Sequence, residues 1–134
     1  MLWREFIKKY TTPHQRHRLI MLRESLVGPY SRITAKHRVL PDFIIIGGPR
    51  CGTTNLFNTL RHHPQIKTSR IKEVKFFNND KKFNKGELFY RSYFPLKKHI
   101  KDNQIVGEAS PNYFSINKSA DRINRMLPDR KSVV

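Results

Sequence analysis

A glycine-rich turn, Gly47-Gly-Pro-Arg-Cys-Gly-Thr-Thr54, holds the residues best suited to chemistry. Glycines let the backbone curl so that successive N–H groups point into one concavity, and a following helix adds the positive end of its dipole. Arg50 lies inside the turn, and its planar guanidinium suits a pair of phosphate or sulfate oxygens. The turn therefore predicts a binding site for an oxyanion, with or without a metal ion.

The same turn departs from the loop of nucleoside-triphosphate enzymes, G-x-x-x-x-G-K-[ST]. Gly47, Gly52 and Thr54 match that pattern, whereas Thr53 stands where the triphosphate-binding lysine belongs. The sequence has no apolar run ending in Asp that would supply a magnesium carboxylate, and no other group of side chains has metal-ligand spacing. A phosphate-loop kinase is therefore the weaker alternative, and no metal is predicted.

The elements around the turn predict an α/β fold. Residues 42–47 form a short apolar run that is typical of a strand buried on both faces of a parallel sheet. A helix is predicted over 55–62, ending before Pro64. Further elements are predicted as strands at 73–77, 104–108 and 131–134 and a helix at 118–126. Since strand, glycine turn and helix open a nucleotide-binding unit, we predict a phosphate-loop-containing parallel sheet with helices on both faces.

Charge divides the chain into two parts. The 134 residues carry a formal net charge of +17, of which +7 lies on residues 1–40 and +10 on residues 41–134. We predict a basic, helical extension over 1–40 and one domain over 41–134. The charge predicts an anionic partner, which leaves a non-enzymatic polyanion-binding module as a second alternative. No segment resembles a base-reading module, so no specific nucleic acid is predicted.

Other features bear on location and surface. The longest apolar run, residues 43–46, is far shorter than the roughly 20 residues of a membrane-spanning helix. Without a signal-peptide pattern, we expect a cytoplasmic location with no transmembrane segment in the chain; a Golgi location would require an anchor outside it. Lys81, Lys82 and Lys85 are expected to form a solvated basic rim, and Phe76 and Phe77 to lie in the core.

Three segments in order resemble one enzyme family. Pro-Arg-Cys-Gly-Thr-Thr at 49–54 resembles the 5′-phosphosulfate loop of sulfotransferases that use 3′-phosphoadenosine 5′-phosphosulfate (PAPS). Lys72-Glu-Val-Lys-Phe-Phe77, with Gly86 and Tyr90-Arg-Ser-Tyr-Phe-Pro95 after it, is similar to a segment of the heparan-sulfate-type branch. Gly107-Glu-Ala-Ser-Pro-Asn-Tyr-Phe114 resembles the later E-x-[ST]-P-x-Y-F segment of that branch. The resemblance covers residues 41–134.

The resemblance implies a set of donor-binding residues in the turn. Arg50 matches the basic residue that holds the sulfonate and leaving-group oxygens, and it would also be catalytic. Cys51, Gly52, Thr53 and Thr54 complete the loop that binds the 5′-phosphate through backbone N–H and hydroxyl groups. PAPS is the implied sulfuryl donor, and no metal is implied.

The second segment supplies the implied base. Glu73 matches the carboxylate that takes a proton from the acceptor in this branch. Lys72 and Lys75 flank Glu73 and could hold acceptor or sulfonate oxygens. One departure stands at Ala109, where some members of the branch have a lysine that helps the transfer. The cation that takes this role here is left open among Lys72, Lys75 and another residue.

The resemblance as a whole implies sulfuryl transfer from PAPS to a hydroxyl or amine of a carbohydrate or small molecule, by in-line displacement. In the family, the strand that starts like residues 131–134 leads into residues that bind the donor's 3′-phosphate. We therefore expect this chain to be the N-terminal part of an enzyme, incomplete at its C-terminus, with little or no activity by itself.

Overall fold

The computed structural model describes residues 12, 15, 22, 27–48 and 50–128, and the backbone of 131–133. The chain divides into two compact units, Met1–Ile33 and Thr34–Val134. In the first unit, the continuous described stretch 27–33 is helical. Most of the predicted basic extension lies outside the described residues, so the boundary placed after residue 40 stays a prediction.

The second unit is built on a parallel sheet in the order β2-β3-β1-β4. Its strands are β1 (Phe43–Ile45), β2 (Ile66–Thr68), β3 (Ile105–Ala109) and β4 (Lys131–Val133). In register, Phe43 of β1 lies opposite Gly107 of β3 on one side and Lys131 of β4 on the other. The predicted strands at 42–47, 104–108 and 131–134 are confirmed, while β2 is an additional strand.

Four α-helices and three short 3₁₀ turns are described in this unit. The α-helices are α1 (Thr53–Leu60), α2 (Asp80–Phe83), α3 (Gly86–Arg91) and α4 (Asn117–Met126), and the 3₁₀ turns are Ala35–His37, Lys97–His99 and Pro111–Tyr113. The predicted helices are confirmed as α1 and α4. α1 begins at Thr53, before the predicted residue 55, because Gly52 adopts the left-handed conformation that ends the turn.

Side chains from the sheet pack on both of its faces. On one face, Phe43, Ile45 and Ala109 form a cluster with Phe57 of α1. On the other face, Ile44 and Val106 join a larger cluster that is mostly aromatic. The other buried members of that cluster are Val74, Phe76, Phe77, Tyr90, Phe94, Tyr113 and Leu127. Helices therefore cover both faces of a parallel sheet, and the predicted α/β fold is confirmed.

The segment from Lys72 to Phe77 corrects one prediction. A strand was predicted at 73–77, but the backbone there is irregular. Glu73 and Lys75 have positive φ angles of 59° and 53°, which no strand contains. Val74, Phe76 and Phe77 are nonetheless fully buried, so the apolar residues that suggest a strand serve the core instead. The prediction that Phe76 and Phe77 lie in the core is confirmed.

Gly107 makes room for an aromatic ring within the sheet. A Cβ atom at this position would lie 2.1 Å from Cζ of Phe43, which is its neighbour in register. The ring therefore lies against the backbone of β3, where any side chain at 107 would collide with it. This close approach lets Phe43 join the cluster with Phe57 of α1.

We expect Gly107→Ala to lower the free energy of unfolding by about 1–3 kcal/mol, because the new methyl group overpacks the site. Urea denaturation followed by far-UV circular dichroism measures the change. Gly28→Ala is the matched control, since a Cβ atom there meets no atom within 4 Å. Equal unfolding midpoints for the two variants would contradict the proposed collision.

Candidate functional site

The carboxyl ends of β1 and β3 lie side by side and bring two predicted site segments to one edge of the sheet. Ile45 is opposite Ala109 in register, and the Ser110 amide donates to the Ile45 carbonyl (3.1 Å). The glycine-rich turn follows β1 directly. The Glu73 amide donates to the carbonyl of Ala109 at the end of β3 (2.8 Å). In open parallel sheets, this carboxyl edge is where ligands bind.

The backbone of the turn curls back on itself before α1. Arg50 and Gly52 both have positive φ angles, 65° and 74°. The Cys51 amide donates to the carbonyl of Gly48 (3.3 Å), which closes the curl. The left-handed conformation is natural for glycine but costs energy for arginine, so Arg50 is in a strained conformation of the type found at ligand sites.

The start of α1 supplies amides that the helix itself cannot satisfy. Leu56 donates to the carbonyl of Gly52 (3.0 Å), so the amides of the preceding helical residues have no carbonyl partner within the helix. Thr54 is exposed at this end, as are Arg50 and Cys51, whereas Thr53 is buried. The turn therefore presents main-chain donors, a hydroxyl and a guanidinium to solvent, which is a donor set suited to an oxyanion.

Glu73 lies between the two lysines that were predicted as its neighbours in the site. Lys72 Nζ is 2.8 Å from Oε1 of Glu73, and Lys75 Nζ is 3.1 Å from Oε2. Hydrogen bonds from Lys72 and then Lys75 lower the pKa of Glu73 below its ordinary 4.5. Its side chain is 37% exposed. The site therefore holds an accessible, ionised carboxylate with a cation on each oxygen.

Hydrogen bonds to another part of the chain fix the backbone around Glu73. The Glu73 amide donates to the Ala109 carbonyl, as described above. The Lys75 amide donates to the hydroxyl of Ser110 (3.2 Å). The amides of Phe76 and Phe77 donate to the hydroxyl of Tyr113 (2.8 and 3.4 Å). The amides of residues 75–77 thus bond to side chains rather than to a neighbouring strand. Together with the positive φ angles at Glu73 and Lys75, this is the physical reason why no strand forms at 73–77.

Glu108 is a buried acid that sequence reasoning did not select. Its Oε1 accepts from the hydroxyls of Tyr90 (2.6 Å) and Tyr113 (3.2 Å), and its Oε2 accepts from Ser110 (2.9 Å). Burial raises the pKa of Glu108 to about 7 although these hydrogen bonds lower it. The alternation of side chains along β3 could have revealed this burial from the sequence. Glu108 lies two residues after Val106, so both side chains are on the face that points into the core.

The prediction for Lys82 is wrong, and the structure also shows where Ala109 lies. Lys82 was predicted in a solvated rim, but it is half-buried and its ammonium donates to the Val74 carbonyl (2.6 Å). Burial lowers the pKa of Lys82, and the charge of Lys75 adds to that effect. Ala109, where the family can have a lysine, packs its methyl group against Ile45 and Phe57. That side chain is on the sheet face opposite Glu108.

The structure thus groups the predicted residues in two sets. Lys72, Glu73 and Lys75 are in direct contact, while residues 50–54 form the turn on the neighbouring strand end. Within the described part of the chain, His, Cys, Asp and Glu side chains form no cluster of three or more that could hold a metal ion. No described helix is both long enough and apolar enough to cross a bilayer.

Curated proteins with similar sequences share one activity in their names. The chain is 31% identical over 102 residues to the membrane-associated sulfotransferase kil1 of Dictyostelium discoideum, an alignment that covers 76% of this chain and 21% of that protein. It is 37% identical over 95 residues to human heparan sulfate glucosamine 3-O-sulfotransferase 3B1, covering 71% and 23%. The chain thus spans about a fifth of the length of these relatives. No protein-family model matches the sequence.

One solved structure has a similar fold. The crystal structure of a sulfotransferase from Alicyclobacillus acidocaldarius superposes with a TM-score of 0.57 at 29% sequence identity. The match covers 70% of this chain and 43% of that one. Sequence and fold therefore point to the same kind of protein.

Stability should depend on pH through Glu108. Its folded-state pKa of about 7 exceeds the ordinary 4.5, so the protein binds a proton more tightly when folded. That stabilisation is complete below the unfolded pKa and disappears as the pH rises through the folded value. Relative to Glu108→Gln, the wild type should lose about 3 kcal/mol of unfolding free energy between acidic and neutral pH.

Urea titrations at a series of pH values measure this difference. The remaining titratable groups are common to both proteins and cancel, so the difference isolates Glu108. Glu87→Gln removes a more exposed carboxyl and serves as the control. Parallel stability curves for the wild type and Glu108→Gln would show that the buried acid does not bind its proton in this way.

Proposed function

The chain belongs to the sulfotransferase family, and on that premise we propose that it transfers a sulfuryl group from PAPS to a hydroxyl or amine of a carbohydrate. A carbohydrate acceptor is favoured over another small molecule because a relative's name specifies heparan sulfate glucosamine. The observation that supports the reaction most directly is an ionised Glu73, held by two lysines at the same sheet edge as an anion-binding turn.

The turn provides the binding site for the donor. Main-chain N–H groups at the start of α1 and the hydroxyl of Thr54 bind the 5′-phosphate, and the side chain of Arg50 holds the sulfonate and phosphate oxygens. Cys51 and Gly52 contribute through the curled backbone, and Thr53, whose side chain is buried, contributes through its main-chain N–H group. When bound, PAPS supplies an activated sulfuryl group. The residues of the turn suit the two negative charges at the phosphosulfate end of PAPS.

Glu73 acts as the general base. As an acceptor oxygen or nitrogen forms its bond to sulfur and the bond from sulfur to the phosphate oxygen breaks, Glu73 takes the acceptor's proton. With a pKa below the ordinary 4.5, Glu73 is ionised at neutral pH, and an ionised carboxylate can accept that proton. Arg50 and the turn amides stabilise the negative charge that develops on the leaving phosphate.

Lys72 and Lys75 have two roles in this arrangement. Each ammonium contacts one oxygen of Glu73, which orients the carboxylate. Each is also a cation beside the position that an attacking acceptor must take, and each can bind a sulfonate or acceptor oxygen. The small side chain of Ala109 is buried under α1 and can do neither, so this pair takes the role of a cation at that position.

Arg50→Ala should weaken binding of 3′-phosphoadenosine 5′-phosphate, the product left by the donor, by roughly 10- to 100-fold, because a charge-assisted contact is lost. Isothermal titration calorimetry measures the affinity. Arg125→Ala removes an equal charge from an exposed position on α4 and is the matched control. The donor site would be wrongly placed if both variants bound as the wild type does.

In an enzyme that contains this chain together with a complete C-terminal part, Glu73→Gln should reduce the rate of sulfuryl transfer by roughly 100-fold or more. Product binding should stay unchanged, because only proton removal is affected. Radiolabelled PAPS with de-sulfated heparan chains, which offer both amines and hydroxyls, provides the assay. Glu87→Gln is the control, since Glu87 is also ion-paired, with Arg91 on α3 (2.6 Å). Comparable rates for the wild type and Glu73→Gln would rule out Glu73 as the base.

A further inference from the structure

The backbone at Glu73 and at Lys75 is held in an unfavourable conformation. Glu73 and Lys75 have φ angles of 59° and 53°, in the left-handed region that side-chain-bearing residues rarely occupy. Such conformations persist only where surrounding contacts impose them. The contacts that impose this one therefore determine where the carboxylate of Glu73 and its two lysines lie.

Two hydroxyl groups provide most of those contacts. Ser110 accepts from the amide of Lys75, and Tyr113 accepts from the amides of Phe76 and Phe77. A hydroxyl that accepts from an amide must direct its own proton elsewhere. Both hydroxyls direct it to Glu108, Ser110 to Oε2 (2.9 Å) and Tyr113 to Oε1 (3.2 Å). The carboxylate thus orients the acceptors that hold the segment.

Core packing alone does not favour an acid at position 108. The side chain is fully buried, and its face of the sheet otherwise presents Ile44 and Val106 to an aromatic cluster. Replacing a buried charged group by an apolar one is often neutral or stabilising, so an acid here is not explained by core packing. It is explained by the need for an acceptor that fixes the direction of hydroxyl dipoles.

We propose that Glu108 is a positioning residue for Glu73, acting through Ser110 and Tyr113 on the backbone of residues 75–77. The carboxylate contacts neither acceptor nor donor. It orients two hydroxyls, these hold the three amides, and the segment then places Glu73 between Lys72 and Lys75. The catalytic part of this inference rests on the proposed function of Glu73, whereas the structural coupling does not.

Glu108→Gln tests the coupling. An amide has one oxygen and one NH₂ group, so in either orientation it places a donor against a hydroxyl that now donates. We expect the pKa of Glu73 to rise toward 4.5 as its lysine contacts loosen. Amide hydrogen exchange at residues 75–77 should accelerate roughly tenfold or more as these hydrogen bonds weaken. NMR spectra of the side-chain carboxyl groups measure the pKa of Glu73, and NMR spectra of the amides measure the exchange rates.

Tyr90→Phe is the matched control. Tyr90 donates to the same oxygen of Glu108 (2.6 Å), but no hydrogen bond in the described part of the chain joins its hydroxyl to residues 75–77. Tyr90→Phe removes one hydrogen bond of the buried network, whereas Glu108→Gln changes the acceptor of three. A role in core stability would affect the two variants alike, whereas the positioning role predicts altered Glu73 and amide exchange in Glu108→Gln and not in Tyr90→Phe.

Turnover gives a separate measurement. Glu108→Gln should lower kcat on the order of 100-fold with little change in KM for PAPS, because Glu73 is misplaced while the turn is untouched. Because we expect little or no transfer by this chain alone, turnover is measured in an enzyme that contains these residues together with a complete C-terminal part. Absence of transfer by that wild-type enzyme would contradict the proposed function and leave the two NMR measurements valid. A folded Glu108→Gln with wild-type Glu73 pKa and amide exchange would overturn the positioning role.

A milder substitution decides the matter if Glu108→Gln does not fold. Ser110→Ala removes a single hydroxyl and leaves its methyl-sized volume in place, so the core keeps its packing. Exchange at the Lys75 amide should accelerate and the pKa of Glu73 should rise. Unchanged values for both in this variant would overturn the proposal as well.

Discussion

Three hydroxyl groups converge on the carboxylate of Glu108 inside a largely aromatic core, and the rest of the unit is arranged around that convergence. Tyr90 reaches it from α3, Ser110 from the end of β3 and Tyr113 from the following 3₁₀ turn. The two hydroxyls beyond β3 also accept amides from residues 75–77. One buried acid thus links three stretches that are separate along the chain, residues 75–77, α3 and residues 108–113. Because an unpaired buried carboxylate is very unfavourable, these partners must assemble together.

A second constraint is the parallel pairing of β1 with β3. It aligns the ends of two strands, so the chain leaving β1 and the segment bonded to the end of β3 share one edge. Within this pair, Gly107 leaves room for the ring of Phe43 against the backbone of β3. Ala109 fills the next position on that face with a methyl group, under Phe57 of α1. Small residues in β3 therefore leave room for Phe43 and for Phe57 of α1 on this face of the sheet.

Predictions from sequence succeeded where local signals agree with tertiary packing. The apolar run at 42–47 is a strand because it is buried on both faces, and residues 104–108 and 118–126 form elements close to their predicted bounds. They failed where tertiary hydrogen bonds override local preference. Residues 73–77 have strand-like composition, yet the amides of residues 75–77 bond to the hydroxyls of Ser110 and Tyr113. The strand Ile66–Thr68 was not predicted, because its three residues contain no apolar run.

The fold class follows from the sequence alone, since strand composition and glycine spacing are local properties. The anion-binding turn and the site residues Arg50, Glu73, Lys72 and Lys75 are likewise predictions from local motifs and their order, and their roles are proposals. How these residues meet depends on the tertiary structure. It holds Glu73 between two lysines in a strained backbone, bonds the ammonium of Lys82 to the Val74 carbonyl, and brings Glu108 to the hydroxyls that hold the segment. The reason is that hydrogen-bond partners 35 to 37 residues apart leave no periodic pattern in the sequence. Burial of an acid is likewise decided by what packs over it rather than by its neighbours in the chain.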